Sequence, residues 1–412
     1  MRFAAAVICC AVLAACSRPG AGPTLPPAPS NPGESSQRPD SAGYLSLYSF
    51  NGRESGGEPQ SELINVNGTL YGTASSYGAG FGTVFAISPF GRLRVLHEFH
   101  NYPDGAYPQA GLIAVHGTLY GTTVAGGTHG GGAVFSVTPS GNERVVYSFG
   151  KKGNGARPES KLIAVDGLLY GTTLEGGKHE RGTVFSLTLS GDEHVLHSFE
   201  GAPTDAGHPS TGLILVKNYL YGTTRAGGKM KTGGAVYRIN ATGQEKVLHA
   251  FGVERGDGHN PTGSLLYSGG ILYGTTLHGG KSNQGVVFEM TTEGSERILH
   301  SFGSGDDGAF PDGNLIPAKD ALYGTTLGGG DNPKKTNQCI SPGVARAAGY
   351  YRCGTIFKID QFGTEHVVYR FGGKPDGANP EAGLLEAGGV LFGTTFWGGS
   401  SAYYGTVFRL LP

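Results

Sequence analysis

The chain has 412 residues, of which 31 are Lys or Arg and 32 are Asp or Glu, and its formal net charge is −1 at pH 7. A near-neutral chain without basic blocks argues against a role in binding nucleic acid or anionic membrane surfaces. The 74 glycines and 23 prolines would suggest disorder if they were scattered, but the glycines recur at fixed repeat positions and therefore indicate turns.

Residues 1–16 have the pattern of a lipoprotein signal peptide. An apolar run over 3–13 is too short to span a bilayer as a permanent helix. It ends in Leu13-Ala14-Ala15-Cys16, which resembles a bacterial lipobox, where the cysteine becomes the lipidated first residue of the mature protein. Ser17 follows, where an aspartate would indicate inner-membrane retention. We expect an exported protein, anchored through Cys16 at the outer membrane or cell surface; the alternative is an ordinary cleaved signal peptide.

Residues 17–43 are predicted to be a disordered tether. The segment is rich in proline and has almost no large apolar residues. It cannot bury enough surface to offset the entropy lost on ordering. We expect it to hold the folded domain, residues 44–412, away from the membrane.

One motif organises that domain. Leu119-Tyr120-Gly121-Thr122-Thr123 has six close counterparts, and the seven aromatic residues follow one another at 49, 50, 51, 52, 50 and 69 positions. A period near 50 is typical of repeat architectures.

Each repeat is predicted to contain four short strands. In the second copy they cover 112–115, 118–123, 133–137 and 143–149. His116-Gly117 joins the first two as a two-residue hairpin turn, and Asn67-Gly68 and Asp166-Gly167 stand at the same place in other copies. No segment shows a helical period over a useful length.

The sequence therefore predicts an all-β fold, a seven-bladed β-propeller of four-stranded antiparallel blades. The chain ends favour a closed ring, because a lone strand at 45–50 precedes the first full repeat and the last repeat has only three strands. The N-terminal strand would complete the last blade and remove two exposed sheet edges. We expect a monomer.

The motifs resemble those of the GloVer tandem-repeat family. Leu-Tyr-Gly-Thr-Thr, then Gly-Gly, then Gly-Thr-Val-Phe recur in order, with Asp-Gly-x-x-Pro between repeats, over residues 44–412. Membership implies a secreted or surface-anchored bacterial protein and no assigned activity. Kelch repeats are a more distant likeness, because they share the repeat length and the double glycine but have an ordered Tyr and Trp pair that is missing here.

Two sets of repeated polar residues resemble metal ligands. The fourth strands carry His97, His197, His249 and His300. The inter-blade loops carry Ser55, Asp104, Asn154, Asp205, Asp257, Asp307 and Asp376. The histidines lie on separate blades, so we expect half-buried packing roles, and Asp or Asn before Gly caps a turn. We predict neither a metal site nor a cofactor.

The repeats lose their symmetry in two loops on one predicted rim. The sixth repeat carries an insert at 331–352, and the seventh has the loop 396–404 with the only tryptophan. Cations beside aromatic rings suit stacking and the recognition of anionic groups. We predict a ligand surface formed by Trp397, Tyr350, Tyr351, Tyr403, Tyr404, Lys334, Lys335 and Arg346. The alternative is a decorative loop that covers an apolar patch.

Cys339 and Cys353 are the cysteines that remain beyond the leader, and they are 14 positions apart. Exported proteins meet oxidising conditions, so we predict that the two form a disulfide.

Three functions fit these patterns. The favoured one is a surface-anchored binding or scaffold module that recognises a glycan or protein on the long-loop rim. The second is an extracellular lyase or hydrolase acting on polysaccharide or a small substrate, and the third is a structural envelope protein. Perturbed carboxylates or histidines near the central channel would favour the enzyme, and no catalytic residue can be assigned from the sequence.

Overall fold

The computed structural model describes residues 43–229, 231–303, 307–330, 353–400 and 403–412. In these ranges the chain forms seven antiparallel sheets arranged in a ring, which confirms the predicted all-β, seven-bladed propeller. The predicted leader and nearly all of the predicted tether, 1–42, lie outside the described residues, as does the insert at 331–352. No helix in the described ranges is long and apolar enough to cross a membrane.

Each blade has four strands, named a to d from the central channel outward. Strands a are Ile64–Val66, Ile113–Val115, Ile163–Val165, Ile214–Val216, Leu266–Ser268, Ile316–Ala318 and Leu385–Ala387. Strands b are Thr69–Ala74, Thr118–Thr123, Leu168–Thr173, Tyr219–Thr224, Ile271–Gly279, Ala321–Gly329 and Val390–Thr395. Strands c are Thr83–Ile87, Ala133–Val137, Thr183–Thr188, Ala235–Asn240, Val286–Thr291, Thr355–Asp360 and Thr406–Leu410. Strands d are Leu93–Glu98, Glu143–Ser148, Glu193–Ser198, Glu245–Ala250, Glu296–Ser301, Glu365–Arg370 and, for the seventh blade, Tyr44–Ser49.

Short rim strands connect the inter-blade loops to the loops between strands b and c. Four of the pairs are Gly105–Ala106 with Ala125–Gly126, Gly155–Ala156 with Glu175–Gly176, Ala206–Gly207 with Ala226–Gly227, and Gly377–Ala378 with Trp397–Gly398. In the fifth and sixth blades Gly258–Pro261 and Gly308–Pro311 pair with the extended ends of strands b.

The repeated Tyr-Gly-Thr motif follows from how strands b and c pack. Gly121 lies against the ring of Phe135, and a Cβ atom at this glycine would come within 2.6 Å of that ring. The hydroxyl of Thr122 donates a hydrogen bond to the Ser160 carbonyl of the next blade, at 3.2 Å. The absence of a side chain at Gly121 therefore makes room for the Phe135 ring, and the hydrogen bond of Thr122 joins neighbouring blades.

An aromatic residue that follows each strand d packs on an aromatic residue of strand c in the next blade. All of these rings are buried, and their centroids are 5.0 to 5.4 Å apart. The pairs are Phe50–Phe85, Phe99–Phe135, Phe149–Phe185, Phe199–Tyr237, Phe251–Phe288, Phe302–Phe357 and Phe371–Phe408. These contacts give the ring a continuous inter-blade core.

The N-terminal strand closes the ring as predicted. Tyr44–Ser49 pairs antiparallel with Thr406–Leu410, so strand d of the seventh blade comes from the start of the domain. Thr394 of that blade donates its hydroxyl to the Ser61 carbonyl of the first blade, at 3.1 Å.

Candidate functional site

Two sets of long loops share one face of the propeller. Each inter-blade segment pairs with a loop between strands b and c, as Gly105–Ala106 does with Ala125–Gly126. The opposite face carries the tight turns between strands a and b. We call the first surface the long-loop face, and the predicted grouping of its loops is confirmed.

Seven equivalent residues of this face, one in each repeat, share a left-handed backbone. Each directly precedes an inter-blade proline, none is glycine, and their φ angles lie between 53° and 59°. They form the pre-proline ring, which consists of Glu58, Tyr107, Arg157, His208, Asn260, Phe310 and Asn379. Non-glycine residues rarely adopt this conformation, and such strain often marks functional surfaces.

Backbone hydrogen bonds hold each of these residues in place. The amide of Arg157 donates to the Gly131 carbonyl at 2.8 Å, and its own carbonyl accepts from the Leu174 amide at 2.9 Å. The same two bonds recur at Tyr107 and His208. One backbone geometry is therefore repeated, whereas the side chains it carries differ in charge, size and polarity.

The residues after the prolines vary in the same way. The post-proline ring consists of Gln60, Gln109, Glu159, Ser210, Thr262, Asp312 and Glu381. Two positions further along, and two residues before each strand a begins, the channel ring consists of Glu62, Gly111, Lys161, Gly212, Ser264, Asn314 and Gly383. In both rings the residues occupy equivalent positions in every repeat, whereas their side chains differ in charge, size and polarity.

A polar network crosses the channel at this level. The ammonium of Lys161 lies 2.8 Å from the Glu62 carboxylate, and the other carboxylate oxygen of Glu62 accepts a hydrogen bond from the side-chain amide of Asn314. Attraction to Glu62 raises the pKa of Lys161. The three residues come from the third, first and sixth blades, so the network links three blades at the mouth of the channel.

The channel itself is mostly apolar. Its cavity of about 700 Å³ is lined by aliphatic residues of strands a, among them Ile64, Ile163, Ile214, Leu266 and Ile316. A ligand that approaches from the long-loop face would meet the polar rings before this apolar interior.

Carboxyl groups cluster on one side of the mouth. Glu381 accepts a hydrogen bond from the Gln60 amide at 2.6 Å. Burial, together with repulsion from Asp312, raises the pKa of Glu381 to about 8. Burial also raises the pKa of Asp312. Glu381 therefore stays protonated at neutral pH and can donate a proton or a hydrogen bond.

Arginines occupy another side of the mouth. The Glu159 carboxylate, only 8% exposed, lies 2.8 Å from the Arg157 guanidinium and 3.9 Å from that of Arg225. Arg157 also pairs with Glu175 at 3.0 Å. Both arginine side chains are about half exposed, so each offers donors to an incoming anionic or hydroxylated group.

The aromatic residues predicted to bind ligand do not form one cluster among the described residues. The Trp397 ring is tilted by 55° to that of Phe396, with the centroids 5.2 Å apart, and packs on the core between the sixth and seventh blades, which includes Cys353. Tyr404 faces the first blade instead, with its ring 4.9 Å from that of Tyr77. Tyr403 is 42% exposed. The other predicted ligand-surface residues are Lys334, Lys335, Arg346, Tyr350 and Tyr351, which lie outside the described residues.

The predicted disulfide also involves a residue outside the described ranges, Cys339. Cys353 is 3% exposed at the base of the insert. The pairing stays a prediction.

The repeated histidines and aspartates meet in pairs. The histidine Nε2 atom lies 2.9 Å from the carboxylate for His97–Asp104, 3.3 Å for His197–Asp205, 3.5 Å for His249–Asp257 and 3.1 Å for His300–Asp307. The aspartates also accept backbone hydrogen bonds, as in the turn caps we expected. A glutamate from strand d of the next blade completes each group.

Burial and the neighbouring aspartate raise the pKa of that glutamate to about 7 in three of the four groups. Sequence reasoning missed these groups because it treated the two rings separately. The constant spacing of seven or eight positions between histidine and aspartate was the available signal.

The channel mouth was missed for a related reason. Loop lengths do not reveal it, because the segment from each inter-blade proline to the following strand a has the same length in all seven repeats. An alignment of the seven repeats would have shown that the residue at these positions differs from repeat to repeat, whereas the neighbouring proline is constant.

The fold and the residues at the channel mouth define the class of protein. It is a seven-bladed propeller built from sequence repeats, with a polar site at one end of its channel. The chain belongs to the Gloeobacter/Verrucomicrobia repeat family, whose model matches residues 36–169 and 144–337. No curated protein matches the chain.

Two solved structures share the fold. A virginiamycin B lyase from Staphylococcus aureus superposes with a TM-score of 0.57 at 12% identity, over 90% of this chain and 98% of the lyase. A streptogramin B lyase also gives 0.57, at 14% identity, over 89% and 96% of the two chains. At these identities the likeness extends to the fold alone.

Proposed function

We propose that the protein is a surface-anchored propeller that binds a hydroxylated ligand, of the glycan class, at the channel mouth of its long-loop face. The observation that carries this proposal is the combination of a repeated, strained backbone with variable side chains in the three rings. A purely structural ring has no need for seven left-handed residues that carry seven largely different side chains. Amides, carboxyls, hydroxyls and guanidinium groups around one opening suit a ligand with many hydroxyl groups.

Attachment through Cys16 and the tether at 17–43 is part of the proposal. It would place the long-loop face at the cell exterior or in the periplasm, where glycans are abundant. A Cys16→Ser variant that is released from membranes would support the anchor, and one that still carries an acyl chain would rule it out.

The most direct experiment is a glycan array probed with the purified protein and with an Asp312→Asn/Glu381→Gln double variant. Both changes keep the side-chain shape and remove a titratable carboxyl group. We expect defined glycans to bind the wild type and to bind the variant at least tenfold more weakly. Equal binding by both proteins would place the glycan site elsewhere.

A second function, catalysis, is favoured by one observation. Glu381 carries a proton at neutral pH and has Asp312 as a neighbouring carboxyl group, which is an arrangement suited to general acid–base chemistry in a lyase or hydrolase. The two solved structures described above are lyases by name, which makes lyase substrates the first to test. If Glu381→Gln keeps ligand affinity but abolishes turnover, the protein is an enzyme; if no product forms from any bound ligand, it is a binding module.

A further inference from the structure

We propose a divalent transition-metal site between the fourth and fifth blades, formed by His249, Asp257 and Glu296, with zinc as its best-suited ion. The site is separate from the channel mouth and does not depend on the proposed function. His249 lies on strand d of the fourth blade, Asp257 on the inter-blade loop, and Glu296 at the start of strand d in the fifth blade. The ligand atoms of the three residues all lie within 4.8 Å of one another.

The distance between histidine and aspartate distinguishes this group from its siblings. In the groups of His97 and His300 the Nε2 atom makes a hydrogen bond to the aspartate, at 2.9 and 3.1 Å. His249 Nε2 lies 3.5 Å from Asp257 and makes no hydrogen bond. A tetrahedral zinc ion with ligand bonds of about 2.0–2.2 Å needs its ligand atoms roughly 3.4 Å apart. The spacing at His249 therefore fits joint coordination better than a hydrogen bond.

The Nε2 atom of His249 is buried without a hydrogen-bond partner, unlike that of His97 or His300. The Oε1 atom of Glu296 is also buried without a partner, as are the equivalent atoms of Glu143 and Glu365, so the orphan histidine nitrogen is what sets this group apart. Buried polar atoms without partners are costly, and a bound cation would satisfy both atoms and relieve the repulsion between carboxylates.

A cavity reaches two of the three proposed ligands. It has a volume of about 390 Å³ and is lined by His249 and Asp257 together with Thr204, Lys229 and Glu254. The cavity leaves room for a water molecule as the fourth ligand, and Glu254 offers an alternative oxygen donor. Because the ligands come from two blades, a bound ion would also cross-link the ring.

The test is titration of the purified, metal-free protein with Zn²⁺ in an isothermal calorimeter, supported by the visible spectrum of the Co²⁺ form. We expect one saturable site per chain. His249→Gln and Glu296→Gln should each weaken binding at least tenfold and remove the Co²⁺ absorption bands of a low-coordinate site. The matched control is His300→Gln, which removes the same residue type from the hydrogen-bonded sibling and should leave binding unchanged.

Three outcomes would overturn the proposal. They are the absence of saturable Zn²⁺ binding to the wild type, unchanged affinity in Glu296→Gln, and equal losses in His249→Gln and His300→Gln. Glu296→Gln nearly preserves side-chain shape, so it remains informative if the histidine variants fold poorly. The titration of the wild type can also refute the proposal by itself, because it would show no saturable binding if the site did not exist.

Discussion

Tyr44 stacks face to face on Tyr369, with ring centroids 4.2 Å apart and ring planes 7° from parallel. Tyr44 begins the N-terminal strand of the seventh blade, and Tyr369 lies on strand d of the sixth. The hydroxyl of Tyr369 donates to Asp376 at 2.9 Å. The first residue of the closing strand is therefore fixed against the neighbouring blade as well as against its own sheet.

This stacking predicts that Tyr44→Ala destabilises the whole propeller. Tyr44 is 5% exposed, and removing a buried aromatic ring costs about 3 kcal/mol or more. Chemical unfolding followed by tyrosine fluorescence would measure the loss. The control is Tyr102→Ala, because Tyr102 is 71% exposed and should change stability by less than ~0.5 kcal/mol. Equal stability of the two variants would show that closure does not depend on the stacked pair.

Gly121→Ala should destabilise the second blade, because the new methyl group would come within 2.6 Å of the Phe135 ring. Overpacking of this kind costs roughly 1–3 kcal/mol. Gly207→Ala is the matched control, since a Cβ atom there meets nothing closer than 3.4 Å. Thermal unfolding of both variants checks the difference, and an unaffected Gly121→Ala protein would disprove the packing explanation for the Tyr-Gly-Thr motif.

The architecture could be predicted because it repeats. The spacing of Tyr71, Tyr120 and their counterparts, the two-residue turns and the incomplete last repeat define blade number, strand number and closure without any long-range information. The inter-blade contacts could not be predicted in the same way. The contact between Phe99 and Phe135, for example, depends on how far the end of strand d reaches beyond its own blade.

The candidate site was harder to predict because it is assembled from single residues of different blades. Glu62, Lys161 and Asn314 lie up to 252 positions apart and meet only because the ring brings the starts of all strands a together. Trp397 was predicted to bind ligand because it is the only tryptophan of the sequence, yet its ring packs on the core between two blades.

The pKa of Glu381 predicts how stability varies with pH. Its value rises from the ordinary 4.5 to about 8 in the folded protein, so between these values the folded state holds a proton that the unfolded state has lost. This glutamate therefore lowers stability progressively as the pH rises from about 4.5 to 8. Glu381→Gln removes the effect.

Urea unfolding of the wild type and of Glu381→Gln at pH 5, 7 and 9 tests this prediction. Between pH 5 and pH 9, the free energy of unfolding of the variant should rise by more than ~1 kcal/mol relative to that of the wild type, after allowance for partial exposure to solvent. A stability difference that stays constant with pH would mean that Glu381 ionises normally in the folded protein.

Loss of the predicted Cys339–Cys353 disulfide should loosen the insert and spare the propeller. Closing a loop of this size contributes ~3 kcal/mol in the chain-entropy model, but the benefit is local because the ring is already closed. Mass spectrometry of the unreduced protein checks the bond, and two free thiols would refute it. Proteolysis of a Cys339→Ser variant should cut the insert faster while the melting temperature of the ring stays unchanged.

The central claim is that the channel mouth of the long-loop face is the functional site. It is tested most directly by calorimetric titration of the strongest glycan-array ligand into the wild type, Asp312→Asn, Trp397→Ala and the opposite-face variant His116→Ala. The account predicts at least a tenfold loss of affinity for Asp312→Asn and no change for His116→Ala. Full affinity in Asp312→Asn together with lost affinity in Trp397→Ala would contradict the account and move the site to the neighbourhood of the insert.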